Sequence, residues 1–169
     1  MIPAPASRPR LDIARTGADT ALEIAGLTLL AGYLIWFTLV WPTLPSIVPQ
    51  HMGLDGTVDR WGDRSSFLAL PIVATLLFTG LSVLSRFPHL FNFPVPLTAA
   101  NAPALYRVGI SMLRWLKIEI VATFAVLSWE ILTIARGEQT GLGRYDIIIM
   151  VALIFTTLGV HIRAMYKAR

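Results

Sequence analysis

The 169-residue chain contains no cysteine. Disulfides, thiolate metal centres and thiol nucleophiles are therefore excluded, and the redox compartment stays undetermined. Charge is scarce as well: 14% of residues are charged, against about 25% in a soluble domain. A chain that is 55% apolar, with a mean hydropathy of +0.65, is too apolar to be solvated on all sides. Its length suggests one domain. The glycines are dispersed, G-x-x-x-x-G-K is absent, and no serine stands near a histidine in a recognisable motif, so nothing points to nucleotide binding or nucleophilic catalysis. The net charge of +4 comes from basic residues at the ends of apolar segments rather than from a patch. That placement orients a membrane protein and does not suggest nucleic acid.

Four apolar runs are present. Ile24 to Trp41 is uncharged, with Glu23 at its start. Phe67 to Leu84 is uncharged and carries Pro71 in its first turns. Leu113 to Ile134 is interrupted by Arg114, Lys117, Glu119 and Glu130. Ile147 to Ile162 is clean until His161. A helix needs about 20 apolar residues to cross a bilayer at ~1.5 Å per residue, and membrane helices tolerate proline where neighbours satisfy the freed carbonyl. The expectation is an all-α integral membrane protein, a bundle of four transmembrane helices with a structured extracytoplasmic loop between helices 1 and 2. The segments expected are a cytoplasmic tail at 1–20, spans at about 22–41, 67–85, 113–135 and 146–163, a motif loop at 42–66 and a Pro-rich inner loop at 86–109. The segment Met1 to Thr20 contains Pro3, Pro5, Pro9, Asp12 and Asp19, and no small-x-small cleavage site follows the first run. It is expected to stay with the first helix rather than be cleaved as a signal.

Lys and Arg fall ten on one side of this topology (Arg8, Arg10, Arg15, Arg86, Arg107, Arg114, Lys117, Arg163, Lys167, Arg169) and four on the other (Arg60, Arg64, Arg136, Arg144). The positive-inside rule then places both termini in the cytoplasm of a bacterial inner membrane and the first loop outside. In the connection from Arg86 to Arg107, Pro88, Pro94, Pro96 and Pro103 oppose a long helix. Phe87, Phe91 and Phe93 are expected at the headgroups.

The most informative stretch is Pro49 to Gly62, polar and rich in Gly and Asp between two membrane-length runs. His51, Asp55, Asp59 and Asp63 recur there at four-residue intervals. Pro45 and Pro49 fix an extended or turning entry. Gly53, Gly56 and Gly62 permit positive φ or close approach, which opposes a regular helix and leaves a shared face for the four residues unproven. Trp61 suits an interfacial anchor. Three readings stand together. Asp59 caps a turn while His51 bonds within the loop; or the loop, with His51, Asp55, Asp59, Trp61 and Arg64, binds a peptide or protein; or His51 and Asp59, with Asp55 or Asp63, bind a metal.

The same residues resemble a known pattern. Leu44-Pro45, Pro49-x-His51, Gly56, Asp59, Trp61-Gly62 and Arg64 are similar to the signature of a bacterial membrane domain of unknown function, found at the N-terminus of SdpI-type immunity proteins. Those proteins protect cells from a secreted toxic peptide. The likeness covers about Trp41 to Leu84, and it departs from the pattern at Met52 (usually aromatic), Gly53 (usually Asn) and Arg64 (usually Lys). Immunity proteins of this kind are longer, with further membrane helices. The resemblance implies toxin immunity or extracellular sensing, with Asp59, His51 and Trp61 as acidic contact, polar contact or ligand, and aromatic anchor.

Inside the membrane, Glu119 and Glu130 lie eleven residues apart, about three helical turns and so one face. An ionised carboxylate there costs of the order of 3 kcal/mol. One reading is a proton or cation path with Glu130 as the titrating group; the other is a structural contact to Thr156, Thr157 or a backbone carbonyl. Lys117 is expected to snorkel to the headgroups, and Glu23 and His161 to be solvated at helix ends. The leading expectation is a non-enzymatic recognition protein. A small proton- or cation-coupled transporter using Glu130 and Glu119 stands second, and a membrane metallohydrolase using His51 and Asp59 third. The expected partners are the lipid bilayer and an extracellular peptide or membrane protein, with no nucleic acid and no cofactor; an oligomer is compatible.

Overall fold

A computed structural model of the chain describes residues 8–53 and 55–169. The four expected helices are present: α1 (Gly17–Val40), α2 (Ala69–Leu84), α3 (Ala102–Ala135) and α4 (Arg144–Lys167). Each is long and apolar enough, with its flanking turns, to cross a membrane. Side chains such as Leu39, Leu76 and Phe155 stand 65–71% exposed on the helix surfaces. A soluble monomer rarely leaves so much apolar surface open, and a bilayer would cover it.

At 34 residues, about 51 Å at 1.5 Å per residue, α3 is the central helix, with α1, α2 and α4 all packed against it. It begins at Ala102, well before the apolar run from which its span was expected, because Pro103 occupies its first turn. There the missing N–H has no helical partner to lose and the fixed φ suits the helix. The Pro-rich segment is irregular only up to that point. α1 starts with a reciprocal cap: the Asp19 N–H donates to the Thr16 hydroxyl (3.2 Å) and the Thr16 N–H to the Asp19 carboxylate (2.8 Å).

The main core joins Leu30, Tyr33 and Phe37 of α1 to Phe78 of α2 and Val121 and Leu132 of α3, with Leu44, Val48 and Phe67 of the first connection closing one end. Phe37 packs on Phe67 with ring centroids 5.0 Å apart, and Tyr33 shares a 2.7 Å hydrogen bond with Ser128. At the opposite end, Val95, Leu105 and Met165 form a second cluster. Phe93 stacks there on Tyr106, centroids 5.8 Å apart, and so packs against α3. The N-terminal tail lies on this same end: Arg8 donates to the carbonyls of His89 and Phe91, and the Tyr106 hydroxyl donates to the Pro9 carbonyl (3.0 Å).

A buried ion cluster joins three helices near this end. Arg114 donates to Asp19 (2.5 Å) and Glu23 (3.2 Å), and Lys117 donates to Glu23 (2.7 Å) and to the Ser82 hydroxyl (3.0 Å). Lys117 is 2% exposed, with its ammonium 4.9 Å from the Phe78 ring centroid. The expectations that Lys117 snorkels and that Glu23 is solvated are both overturned. Two cations meet two anions, so no charge of the cluster is left unpaired, and the pairing offsets part of the cost of taking them out of water.

Candidate functional site

The segment between α1 and α2 is a β-hairpin. β1 (Ile47–Met52) pairs antiparallel with β2 (Val58–Asp63). The four-residue recurrence of His51 and the three aspartates therefore marks no helix face. A hairpin forms because Val48 and Pro49 are buried while β2 is mostly exposed, so β1 anchors the pair against α3. The turn closes through the Gly53 N–H to the Thr57 carbonyl (2.8 Å) and the Gly56 N–H to the Gly53 carbonyl (2.9 Å). Gly56 has φ of +82°, a conformation that a Cβ would oppose.

The register holds two irregularities. Pro49 faces Trp61, His51 faces Arg60 and Met52 faces Val58, so Gln50 on β1 and Asp59 on β2 are left without opposite residues. Proline lacks the N–H that a regular ladder needs and is commonly found at such bulges. In this arrangement the His51 Nδ1–H donates to Asp59 Oδ1 at 2.7 Å, both side chains more than half exposed. Trp61, opposite Pro49 on β2, is 47% exposed.

Asp55 and Asp63 are turned away from this pair. The Asp55 carboxylate accepts the Thr57 hydroxyl (2.8 Å) and N–H (3.1 Å), and those bonds hold it below the usual carboxylate range. Asp63 caps the turn leading into α2 by accepting the Ser65 N–H (2.8 Å), with the bonds from Ser65 lowering it in the same way. The structure thus brings His51 and Asp59 together and leaves Asp55 and Asp63 in local turns. Among the described residues, no group of three His, Asp or Glu gathers closely enough to hold a metal ion.

Arg64 serves the base of the hairpin. Its guanidinium lies over the Trp41 ring, 5.4 Å from the centroid, its side chain donates to the Leu44 carbonyl (3.4 Å), and its N–H donates to the Ser46 carbonyl (2.9 Å). The tip docks on the α3–α4 connection, where the Leu142 N–H donates to the Gly56 carbonyl (3.1 Å) and Thr57 bridges Gly141. Arg136 donates to the Thr43 hydroxyl (2.6 Å). The hairpin and the α3–α4 connection therefore share one end of the bundle, opposite the tail.

Of the intramembrane carboxylates, Glu119 accepts the Thr157 hydroxyl, a partner that the sequence suggested. Glu130 accepts the Gly143 N–H (2.9 Å) and is 4% exposed. The two are far apart on α3 and do not meet. Sequence reasoning missed Asp146, which crowds against Glu130. It also missed the cluster of Asp19, Glu23, Arg114 and Lys117. The signal was in the spacing: Asp19 and Glu23 are i,i+4 on one helix and Arg114 and Lys117 i,i+3 on another, two opposite-charge faces that can meet.

Residues 27–75 match the model of a domain of unknown function, DUF1648. The matched stretch runs from within α1 through the whole hairpin into α2, so the feature it frames is the bulged hairpin. An uncharacterised protein of Archaeoglobus fulgidus is 35% identical over 86 residues, which cover 45% of this chain and 47% of that protein. The chain thus spans about half the length of that relative. No solved structure shows significant similarity to the chain.

Proposed function

We propose that this is a non-enzymatic multi-pass membrane protein that recognises an extended peptide segment on the hairpin side, outside the cytoplasm. The observation that carries the reading is the hairpin's geometry. It is fixed at its base by Arg64 and Trp41 and at its tip by Gly141 and Leu142. Among the described residues β2 has no strand partner but β1, which leaves its other edge open beyond Thr57. An open edge offers unpaired N–H and C=O groups to an incoming strand, while neighbouring side chains supply selectivity. Here those side chains are Trp61, an aromatic platform, and Asp59, an acidic contact oriented by His51.

The Lys and Arg asymmetry supports the outward placement. The resemblance to the domain of SdpI-type proteins supports a secreted peptide as the ligand and toxin immunity as its consequence. Native mass spectrometry of protein gently extracted from its own membrane tests the reading, wild type beside Asp59→Asn and Trp61→Ala. A peptide or protein mass present on the wild type and lost from both folded variants is expected. A ligand that stays bound to both variants would overturn the assignment, and a bound metal lost on chelation would favour the His51–Asp59 metal reading.

A further inference from the structure

The end of the bundle that carries the N-terminal tail has a basic cleft that hairpin recognition does not use. The tail is tied down on both sides of residues 10–13. Before them, Arg8 donates to the carbonyls of His89 and Phe91, and the Tyr106 hydroxyl donates to the Pro9 carbonyl (3.0 Å). After them, the Arg107 guanidinium donates to the Ala14 carbonyl (3.4 Å). Between these ties the tail faces the end of α2 across two adjoining clefts of about 190 and 450 Å³. The two share Leu11, Asp12 and Arg86; Arg15 and Arg114 line the smaller and Arg10 the larger.

Arg114 is 7% exposed and already held by Asp19 and Glu23, so the available charge belongs to the rim. There Arg10, Arg15 and Arg86 are exposed, and among the described residues none of them has an ion-pair partner. Residues 1–7 contain no Asp or Glu that could supply one. Three guanidinium groups therefore share the clefts with a single carboxylate, Asp12, that pairs with none of them. Arg15 precedes α1 and Arg86 follows α2 by less than a turn. Both thus stand where apolar, membrane-length spans end and the hydrocarbon gives way to headgroups. Apolar side chains border the charge: Leu11 is 37% exposed and Phe87 44%. A guanidinium can hold two phosphate oxygens at once, and basic pockets between membrane helices recognise anionic headgroups. A free phosphate ion would satisfy the arginines and leave the apolar border unused.

We propose that the cleft between the tail and the end of α2 binds the headgroup of an anionic phospholipid. Arg15 and Arg86 take the phosphate oxygens, Arg10 adds to the attraction from the larger cleft, and Leu11 and Phe87 flank the glycerol and the first acyl methylenes. The excess of cations over Asp12 selects a net negative headgroup over a zwitterionic one, whose own ammonium would meet the same arginines. Because the tail forms one wall, a bound lipid holds the tail to the end of α2. The site is independent of peptide recognition by the hairpin and lies at the opposite end of the bundle.

The test is lipid retention by the full chain, purified in an uncharged detergent, stripped of lipid and titrated with phosphatidylglycerol or with phosphatidylcholine of the same acyl chains. Native mass spectrometry reads the bound lipid. Wild-type protein is expected to retain phosphatidylglycerol several-fold better than phosphatidylcholine, and an excess of inorganic phosphate should leave it bound. Arg15→Gln with Arg86→Gln should lower phosphatidylglycerol retention to the phosphatidylcholine level. Both side chains are exposed and without ion pairs, so the thermal midpoint in lipid-free detergent should stay at the wild-type value. Arg163→Gln with Lys167→Gln removes the same charge from the end of α4, outside the cleft, and should retain lipid as wild type does. Equal retention of the two lipids by the wild type would overturn the site. Equal loss in both double variants would do so too, by showing diffuse attraction to a basic surface, and displacement by inorganic phosphate would overturn the lipid assignment in favour of a free anion.

Discussion

Single residues decide two features of this molecule. Gly56 holds a positive φ at the hairpin tip, and a Cβ there would lie 3.2 Å from the Leu142 carbonyl that belongs to the docked connection. Forcing an L side chain into this region costs about 1–2 kcal/mol. Gly56→Ala is therefore expected to loosen the tip and speed hydrogen exchange at the Leu142 amide; unchanged exchange there would remove the docking role. Lys117 is the second case. Lys117→Met leaves the partly buried Glu23 with Arg114 alone, so the cost is expected to fall below the about 3–5 kcal/mol of a fully broken buried pair, read as a lowered thermal midpoint in detergent. Glu23→Gln combined with Lys117→Met should cost less than the two changes added, because neither charge is then stranded.

At the scale of elements, the hairpin depends on carboxylates that titrate outside the membrane. Asp55 and Asp63 both lie below their ordinary value of 3.8 through bonds to Thr57 and Ser65. A lowered folded value gives stabilisation that is present above the unfolded value and lost as pH falls through the folded one. Protection at the Thr57 and Ser65 amides, relative to the intrinsic exchange rate at each pH, should stay flat from neutral pH to about 5, by which point both groups are still ionised, and should fall away below 3.8. Loss of protection already near neutral pH would contradict this account. The helices were legible in the sequence because hydropathy over a membrane-length window reports them directly. The hairpin was not: Pro49 and Gly62 interrupt its strands, and the bulges at Gln50 and Asp59 erase the alternation that marks a strand. The contact between His51 and Asp59 was open to the sequence, but their separation from Asp55 and Asp63 depends on turns that the spacing hides. Likewise the start of α3 was masked by Pro103, which reads as a breaker in sequence and acts as a first-turn residue in the fold.

Viewed whole, the molecule has two unlike ends. One gathers the N-terminal tail, the Pro-rich connection and the end of α4 around a fully paired charge cluster. The other carries the hairpin, locked to the α3–α4 connection, where the buried Glu130 accepts the Gly143 N–H. The charge-paired end suits anchoring; the end with an open strand edge suits contact with a partner. Recognition of a peptide from outside requires the hairpin to face the cell exterior or the periplasm. Because the chain lacks cysteine, that requirement can be read without background labelling. Trp61→Cys and Lys167→Cys proteins would be treated, in intact cells and after lysis, with a maleimide that reaches periplasmic and outer-surface thiols but does not cross the inner membrane. The account predicts that Trp61→Cys labels in intact cells and Lys167→Cys only after lysis. The reverse pattern would place the hairpin in the cytoplasm and contradict recognition of an external peptide.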